Sequence, residues 1–269
     1  MIESPINRIG ISPNYVGGFV FFWNVSGGFD DPAPWRFRVQ VGPSYEGPWS
    51  DTSPELENVV AWHDDGGKYL VGKSDTLYFR VAMTTPVGTY FSHAVQPYGD
   101  LKRREFLLAR EVMRREALRA KVLSGVQCDV YISSTFGPRC RHCIDPVTGD
   151  VRDSHCRWCF GTGRYPAYFG PHRMMMSFSP DAAHHKDASN DGTHETRSFE
   201  AMAIGSPILK KGDVIVDVAQ DKRYVIGTAS VVAEVRRIPC LQQLGIEESP
   251  LSDSVYRIGA TVDEEGCDV

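Results

Sequence analysis

Four cysteines carry the clearest chemistry in this chain. Cys140-Arg-His-Cys143 and Cys156-Arg-Trp-Cys159 are two Cys-x2-Cys pairs with twelve residues between them. That is the ligand spacing of a four-thiolate zinc site, in which each pair folds into a tight turn aiming two sulfurs at one ion. Zinc suits soft thiolates and asks for nothing beyond the tetrahedron that four ligands make. Disulfides, a redox pair or an iron–sulfur cluster would use the same residues. A redox pair needs a helix N-terminus to lower one thiol's pKa, whereas Cys159 is followed by Gly161-Thr-Gly163, which breaks a helix. No partner segment for electron transfer is visible. His142 and His155 flank the pairs and could each replace a cysteine, but both read better as surface residues. Four thiolates leave no open coordination position, so the expected metal holds structure and performs no chemistry.

The elements that must position these residues are read from the rest of the 269-residue chain, which is long enough for two or three modules. A net charge of −5 gives no global pull toward nucleic acid or membrane. No apolar run approaches the roughly 18–20 residues that span a bilayer. Met1-Ile-Glu-Ser-Pro5 has neither the basic nor the apolar region of a secretory signal, which predicts a reducing cytoplasm. Cys128, Cys240 and Cys267 are scattered and odd in number, so no disulfide framework is expected. Cys128 reads as a buried thiol, too far from Cys140 to compete as a ligand.

The expected fold class is mainly β with one long helix. Residues 1–98 carry short aromatic strands between Gly/Pro turns: Phe19–Val25, Trp35–Val41, Leu77–Met83 and Thr89–Val95. This pattern predicts an antiparallel sandwich. Within about 100 residues it resembles a fibronectin type III or immunoglobulin-like module, with Tyr45-Glu-Gly-Pro-Trp-Ser50 as its turn before the next strand. Trp23, Trp35, Trp49 and Trp62 could line a sugar-binding face, although core packing explains them more simply. His63-Asp64-Asp65-Gly66-Gly67 reads as a surface turn and not a metal loop.

Residues 99–127 form a basic linker helix, capped by Asp100, running from Leu101 to Lys121 and stopped by Gly125. Leu101, Leu108, Val112 and Met113 are its expected apolar face. Lys102, Arg103, Arg104, Arg110, Arg114, Arg115, Arg119 and Lys121 outnumber Glu105, Glu111 and Glu116. These charges suit contacts with acidic neighbouring subunits, ahead of local Glu–Arg pairs and ahead of DNA. The arginine face lacks Asn or Gln, so any DNA contact would be nonspecific.

The metal module is expected over 128–172. It is too small to fold without its metal. Its Cys-x2-Cys-x-Gly-x-Gly unit resembles the zinc region of J-domain co-chaperones, but one unit alone and no His-Pro-Asp excludes that family. Residues 173–258 are expected to form a β-sheet or barrel with an extended tail. Met174–Ser179, Met202–Ile204, Gly212–Val218, Tyr224–Ile226 and Val231–Val235 are its strands, with a turn at Asp221-Lys-Arg223. The stretch Pro180–Thr196, with His184, His185 and His194, reads as a mobile loop in preference to a second metal site. From Arg236 to Ile258 the alternating apolar residues suit pairing with a neighbouring chain's sheet. Residues 259–269 read as a disordered acidic tail.

The arginine-rich helix beginning Leu101-Lys-Arg-Arg-Glu-Phe, the two Cys-x2-Cys pairs flanking Asp145-Pro-Val-Thr-Gly-Asp150, and the stretch from Lys211-Gly-Asp213 to Ile258 together resemble a structural protein of tailed-bacteriophage virions. The resemblance is closest to neck or head-to-tail connector components and covers about 100–258. It implies a non-enzymatic subunit of a cyclic oligomer between portal and tail, with structural zinc on Cys140, Cys143, Cys156 and Cys159. It also implies assembly in the host cytoplasm, residence in the virion and nonspecific contact with packaged DNA. A baseplate station has the same features. The rivals are a zinc-dependent nucleic-acid-binding module, with Arg141, Arg157 and Arg164 on phosphates, and a carbohydrate-binding virion component.

Overall fold

The computed structural model describes residues 4–13, 18–64, 76–98, 102–179, 183–189 and 192–258; for 183–189 and 192–197 the description is of the backbone. The chain is mainly β, with one α-helix and several sheets. Its first part holds β1 (Ile6–Pro13), β2 (Phe19–Val25), β3 (Arg36–Gly42), β4 (Ser50–Asp51), β5 (Leu56–Glu57), β6 (Ala61–His63), β7 (Tyr78–Thr84) and β8 (Thr89–Phe91). One sheet has the order β1-β2-β6 and the other β4-β3-β7-β8, with β5 also on β3; all pairs are antiparallel.

Period-2 alternation places Phe19, Phe21 and Trp23 from the first sheet and Phe37, Val39, Phe79 and Val81 from the second in one core. Phe21 meets Phe79 at 5.0 Å and Trp23 meets Phe37 at 5.3 Å between ring centroids. The four tryptophans therefore share no single face. Trp23 and Trp35 are buried, Trp62 stacks on Phe21, and Trp49 covers the Arg80 guanidinium. His63 ends β6 and Asp64 is buried; the remainder of the expected turn, Asp65 to Gly67, lies outside the described residues.

Helix α1 (Arg103–Arg119) follows, continued by a π-turn over Ala120–Ser124. The expected cap Asp100 and Leu101 lie outside the described residues; Lys102 stands at the cap position, its amide donating to Glu105 Oε2 at 3.2 Å. The apolar face differs from the expected one. Phe106, Ala109, Met113 and Ala117 are buried, with Val112 beside them, whereas Leu108 is 55% exposed. Spacings of three and four keep these buried positions on one side, and Leu108 falls on the other. Nor is the helix a mere linker. Its buried side shares one core with the aromatic sheets and with Ile238 and Cys240 further along the chain.

The remaining strands are β9 (Gly125–Ser133), β10 (Tyr168–Phe178), β11 (Ala183–Ser189), β12 (Gly192–Ile204), β13 (Val214–Asp217), β14 (Arg223–Val235) and β15 (Ile238–Glu248). They order as β10-β9-β13-β14-β15-β12-β11, and β10 also pairs β12 through Met176↔Ala203 and Phe178↔Ala201. Six strands thereby close into an antiparallel barrel around Cys128, Val130, Met174, Met176, Ile215, Ile226, Leu244 and Ile246.

Two expectations about this region change. The stretch expected as a mobile loop pairs as a hairpin, Ala183↔Ser198 through Ser189↔Gly192. The expected extended tail from Arg236 is β15, a central strand of the chain's own barrel between β14 and β12. Arg236 and Arg237, both at positive φ (50° and 71°), make the tight turn that folds it back. Beyond it, a short helical turn at Ser254–Arg257 buries Val255 and Ile258 against Val214, and Arg223 donates to the Ile258 carbonyl at 2.7 Å. Strand β9, expected with the metal module, belongs to the barrel. The module itself is the connection between β9 and β10.

Candidate metal centre

The connection 134–167 builds two knuckles. In the first, Cys140 donates its amide to the Gly163 carbonyl at 3.0 Å and the Ile144 amide reaches back to the Cys140 carbonyl. The following turn is tied by Asp145. Its Oδ1 accepts the Val147 amide at 2.8 Å and its Oδ2 accepts Arg152 Nε at 3.1 Å. The Val147 amide and the Arg152 side chain hold the Asp145 carboxyl below its ordinary pKa. The Arg152 amide then donates to the Cys143 carbonyl at 2.8 Å, which sets the return strand.

In the second knuckle the Phe160 amide donates to the Cys156 carbonyl at 2.7 Å and the Thr162 amide to the Cys159 carbonyl at 2.8 Å. Gly161 and Gly163 have φ of +81° and +70°. A Cβ at Gly161 would meet the Ser154 carbonyl oxygen at 2.4 Å, so both handedness and space require glycine there.

The result brings all four predicted cysteines together. Their Sγ atoms lie within 4.8 Å of one another, and Cys140, Cys143, Cys156 and Cys159 are 6%, 3%, 4% and 0% exposed. Cys143–Cys159 are 3.1 Å apart and Cys140–Cys156 3.9 Å. A tetrahedron with metal–sulfur bonds of about 2.3 Å has edges of about 3.8 Å. The quartet therefore fits such an ion with sub-ångström adjustment. All four cysteines are free thiols, as are Cys128 and Cys240. Burial pushes the Cys143 and Cys159 thiols up. At Cys156 burial acts the same way, but the amides of Cys159 and Trp158 outweigh it and the net shift is downward. Those amides are already arranged for a thiolate.

Neither flanking histidine joins the quartet. His142 stacks on Trp158 at 5.1 Å, and His155 Nδ1 lies 3.1 Å from Ser154 Oγ; both are exposed. Cys128 lies in the barrel, its thiol pushed up to about 12 by burial and then by Asp217 and Asp129. Cys267 and the acidic tail lie outside the described residues. Among residues with described side chains, the quartet is the one group of three or more His, Cys, Asp or Glu able to hold an ion.

The sequence did not reveal how the module is braced. Phe136 and Phe169, at its entrance and exit, stack at 4.9 Å with 14° between their planes, and Trp35 packs on both at 4.9 and 6.0 Å. The Gly137 amide donates to the Phe29 carbonyl at 2.7 Å, and Arg164 donates to the carbonyls of Gly137 (2.7 Å) and Gly27 (3.4 Å). On the other side, Phe160 and Tyr168 join Val214 of the barrel and Val255 of the helical turn that follows it. Aromatic residues far apart in sequence gave no local signal of this convergence.

Compared with protein-family models and with curated protein sequences, the chain matches none. No helix among the described residues is long and apolar enough to cross a membrane.

Proposed function

We propose that this chain is a non-catalytic structural subunit of a tailed-phage virion, of the neck or head-to-tail connector type, in which zinc on Cys140, Cys143, Cys156 and Cys159 fixes the middle of a ring-forming protomer. The observation that carries the reading is the buried quartet of sulfurs braced on both sides, by Trp35 and by the Val214–Val255 cluster. Four thiolates complete the coordination of zinc, so the ion has a place for neither water nor substrate. Zinc binding supplies folding free energy to a loop with little core of its own.

Support for the assembly role comes from the outward side of α1. Leu108, Leu118, Val122 and Leu123 are 55%, 45%, 76% and 76% exposed, and Arg104, Arg115 and Arg119 lie among them. Arg114 and Arg115 both bond Glu111, and Arg119 bonds Glu116, within the helix. Those pairs are each worth only tenths of a kcal/mol. The apolar residues therefore give this face its stronger reason to find a partner. The barrel absorbs the segment after Arg236, so subunit contacts fall to the helix, to sheet edges and to the β11–β12 hairpin.

The facing three- and five-stranded sheets of the first part fit a fibronectin III or immunoglobulin-like module. Burial of Trp23 and Trp35 weighs against the carbohydrate-binding reading. Sedimentation and negative-stain imaging test the assembly. Closed rings, formed by the chain alone or with a portal or tail partner, are the expected result; a strict monomer under both conditions contradicts it.

A further inference from the structure

Between the metal module and the turn after β2 lies a cleft of about 470 Å³ lined by Gly27, Gly28, Asp30, Pro138, Arg139, Arg141 and Arg164. Its positive charge follows from the first knuckle. Cys140 is buried among the sulfurs, so its neighbours Arg139 and Arg141 are turned out to solvent, and Arg139 bridges Arg164 across the ladder. No carboxylate among the described residues comes within 4 Å of these three guanidinium groups. Arg164 is held in place by backbone carbonyls, which fix it without neutralising it. Opposite, the amides of Gly27 and Gly28 donate to nothing among the described residues, and the space where a Gly28 side chain would begin is open for 4 Å.

We infer that this cleft binds a phosphate anion, supplied either by a nucleic-acid backbone or as free phosphate. Guanidinium forks match phosphate oxygens bidentately, and the exposed Gly27–Gly28 turn leaves room for the anion beside them. Arg141 leaves its donors to the ligand, Arg164 supplies fixed charge, and Arg139, whose guanidinium lies against Gly149 of the same module, adds charge at the cleft's border. Across residues 138–167 five arginines face three aspartates, and a zinc tetrathiolate at −2 brings that sum to zero. The attraction is therefore local to the cleft and directional, and the module as a whole has no net positive field. Asp30 opposes the ligand, which provides a variant of opposite sign.

The inference does not rest on the ring reading: a monomer that binds phosphate here retains it, and a ring that does not loses it. The experiment titrates the metal-loaded full chain with inorganic phosphate by calorimetry and with a fluorescent 20-base-pair duplex by anisotropy at several salt concentrations. For the duplex, Arg139→Ala with Arg141→Ala is expected to weaken binding by about tenfold or more and to lower the log–log salt slope by about 2. Asp30→Asn is expected to tighten binding, and Arg103→Ala at the exposed start of the helix to leave it unchanged. Unaltered metal content and melting temperature establish that each variant is folded; where the double variant fails that check, Arg141→Gln and Asp30→Asn carry the test. Phosphate binding without duplex binding, lost in the arginine variant, identifies free phosphate as the ligand. Absence of both, or duplex binding that follows the helix arginines and ignores Arg139, Arg141 and Asp30, overturns the proposal.

Discussion

Trp35 lies against Phe136 with ring centroids 4.9 Å apart, so the residue just before β3 also supports the entrance of the metal module. Trp35 is fully buried, and its Nε1 donates to the Asp31 carbonyl at 3.1 Å. The next residue after Phe136, Gly137, has φ of +103°, and a Cβ there would stand 2.2 Å from the Trp35 ring. Trp35→Ala is expected to cost about 3–5 kcal/mol of stability in denaturant titration. Gly137→Ala, which meets both strain and collision, is expected to destabilise although it adds only a methyl group. A neutral Gly137→Ala would show that the module does not rest on this tryptophan.

Helix α1 predicts a contrast between two apolar residues two positions apart. Phe106 is fully buried, packed on Phe19 and Tyr98, and Leu108 is exposed. Phe106→Ala should cost about 3–5 kcal/mol and Leu108→Ala less than about 0.5 kcal/mol in the isolated chain. Leu108→Asp with Leu118→Asp should leave the melting temperature nearly unchanged while abolishing any oligomer that uses this face. Retention of full oligomerisation by that variant would move the contact elsewhere.

The Arg236–Arg237 turn holds two non-glycine residues in the left-handed region, where each costs about 1–2 kcal/mol. Arg237→Gly removes one such cost against the extra flexibility glycine gives the unfolded chain. A net gain of up to about 1 kcal/mol is expected, measured by thermal or denaturant unfolding. A loss would mean that the Arg237 side chain contributes more than its backbone costs.

His172 is 4% exposed, and burial, followed by the charge on His63, lowers its pKa to about 4. Its folded-state pKa lies below the roughly 6.5 of an unfolded histidine. Above that value the ring is neutral in both states, and stability is lost as pH falls from about 6.5 toward about 4. His172→Gln should flatten that part of the stability–pH curve relative to the unmodified chain. An unchanged slope between pH 6.5 and pH 4.5, about where the two pKa values bracket the titration, would show that His172 charges without penalty.

The metal quartet was legible because ligand type and spacing are local properties: Cys140 to Cys159 announce themselves within twenty residues. The β character of the first part was legible for a similar reason, since Trp35, Phe37, Val39 and Val41 alternate without interruption. The fate of β15 was not. Ile238, Cys240, Leu244 and Ile246 state that one face will be buried, but period 2 does not say whose sheet buries it. The turn that decides the question is Arg-Arg, where Asn-Gly would have signalled a hairpin. The helix face was misjudged because Leu108 is more apolar than Ala109 or Ala117, although small residues are what let the helix approach the β15 strand closely. The Arg139–Arg141–Arg164 cleft was half visible as charge, but its opposite wall comes from Gly27 and Gly28, more than a hundred residues earlier.

Removal of the metal should dismantle the module from within. With burial raising the Cys143 and Cys159 thiols, protons compete with the ion as pH falls, so acidification should release metal and alkaline conditions retain it. The most direct measurement is elemental analysis of the purified, reduced chain beside its Cys143→Ser variant. About one zinc per chain, retained through dialysis at neutral pH and lost in the variant together with protease resistance of residues 138–167, is the predicted result. A chain that carries no metal while all four thiols are reduced and its fold is intact would contradict the account.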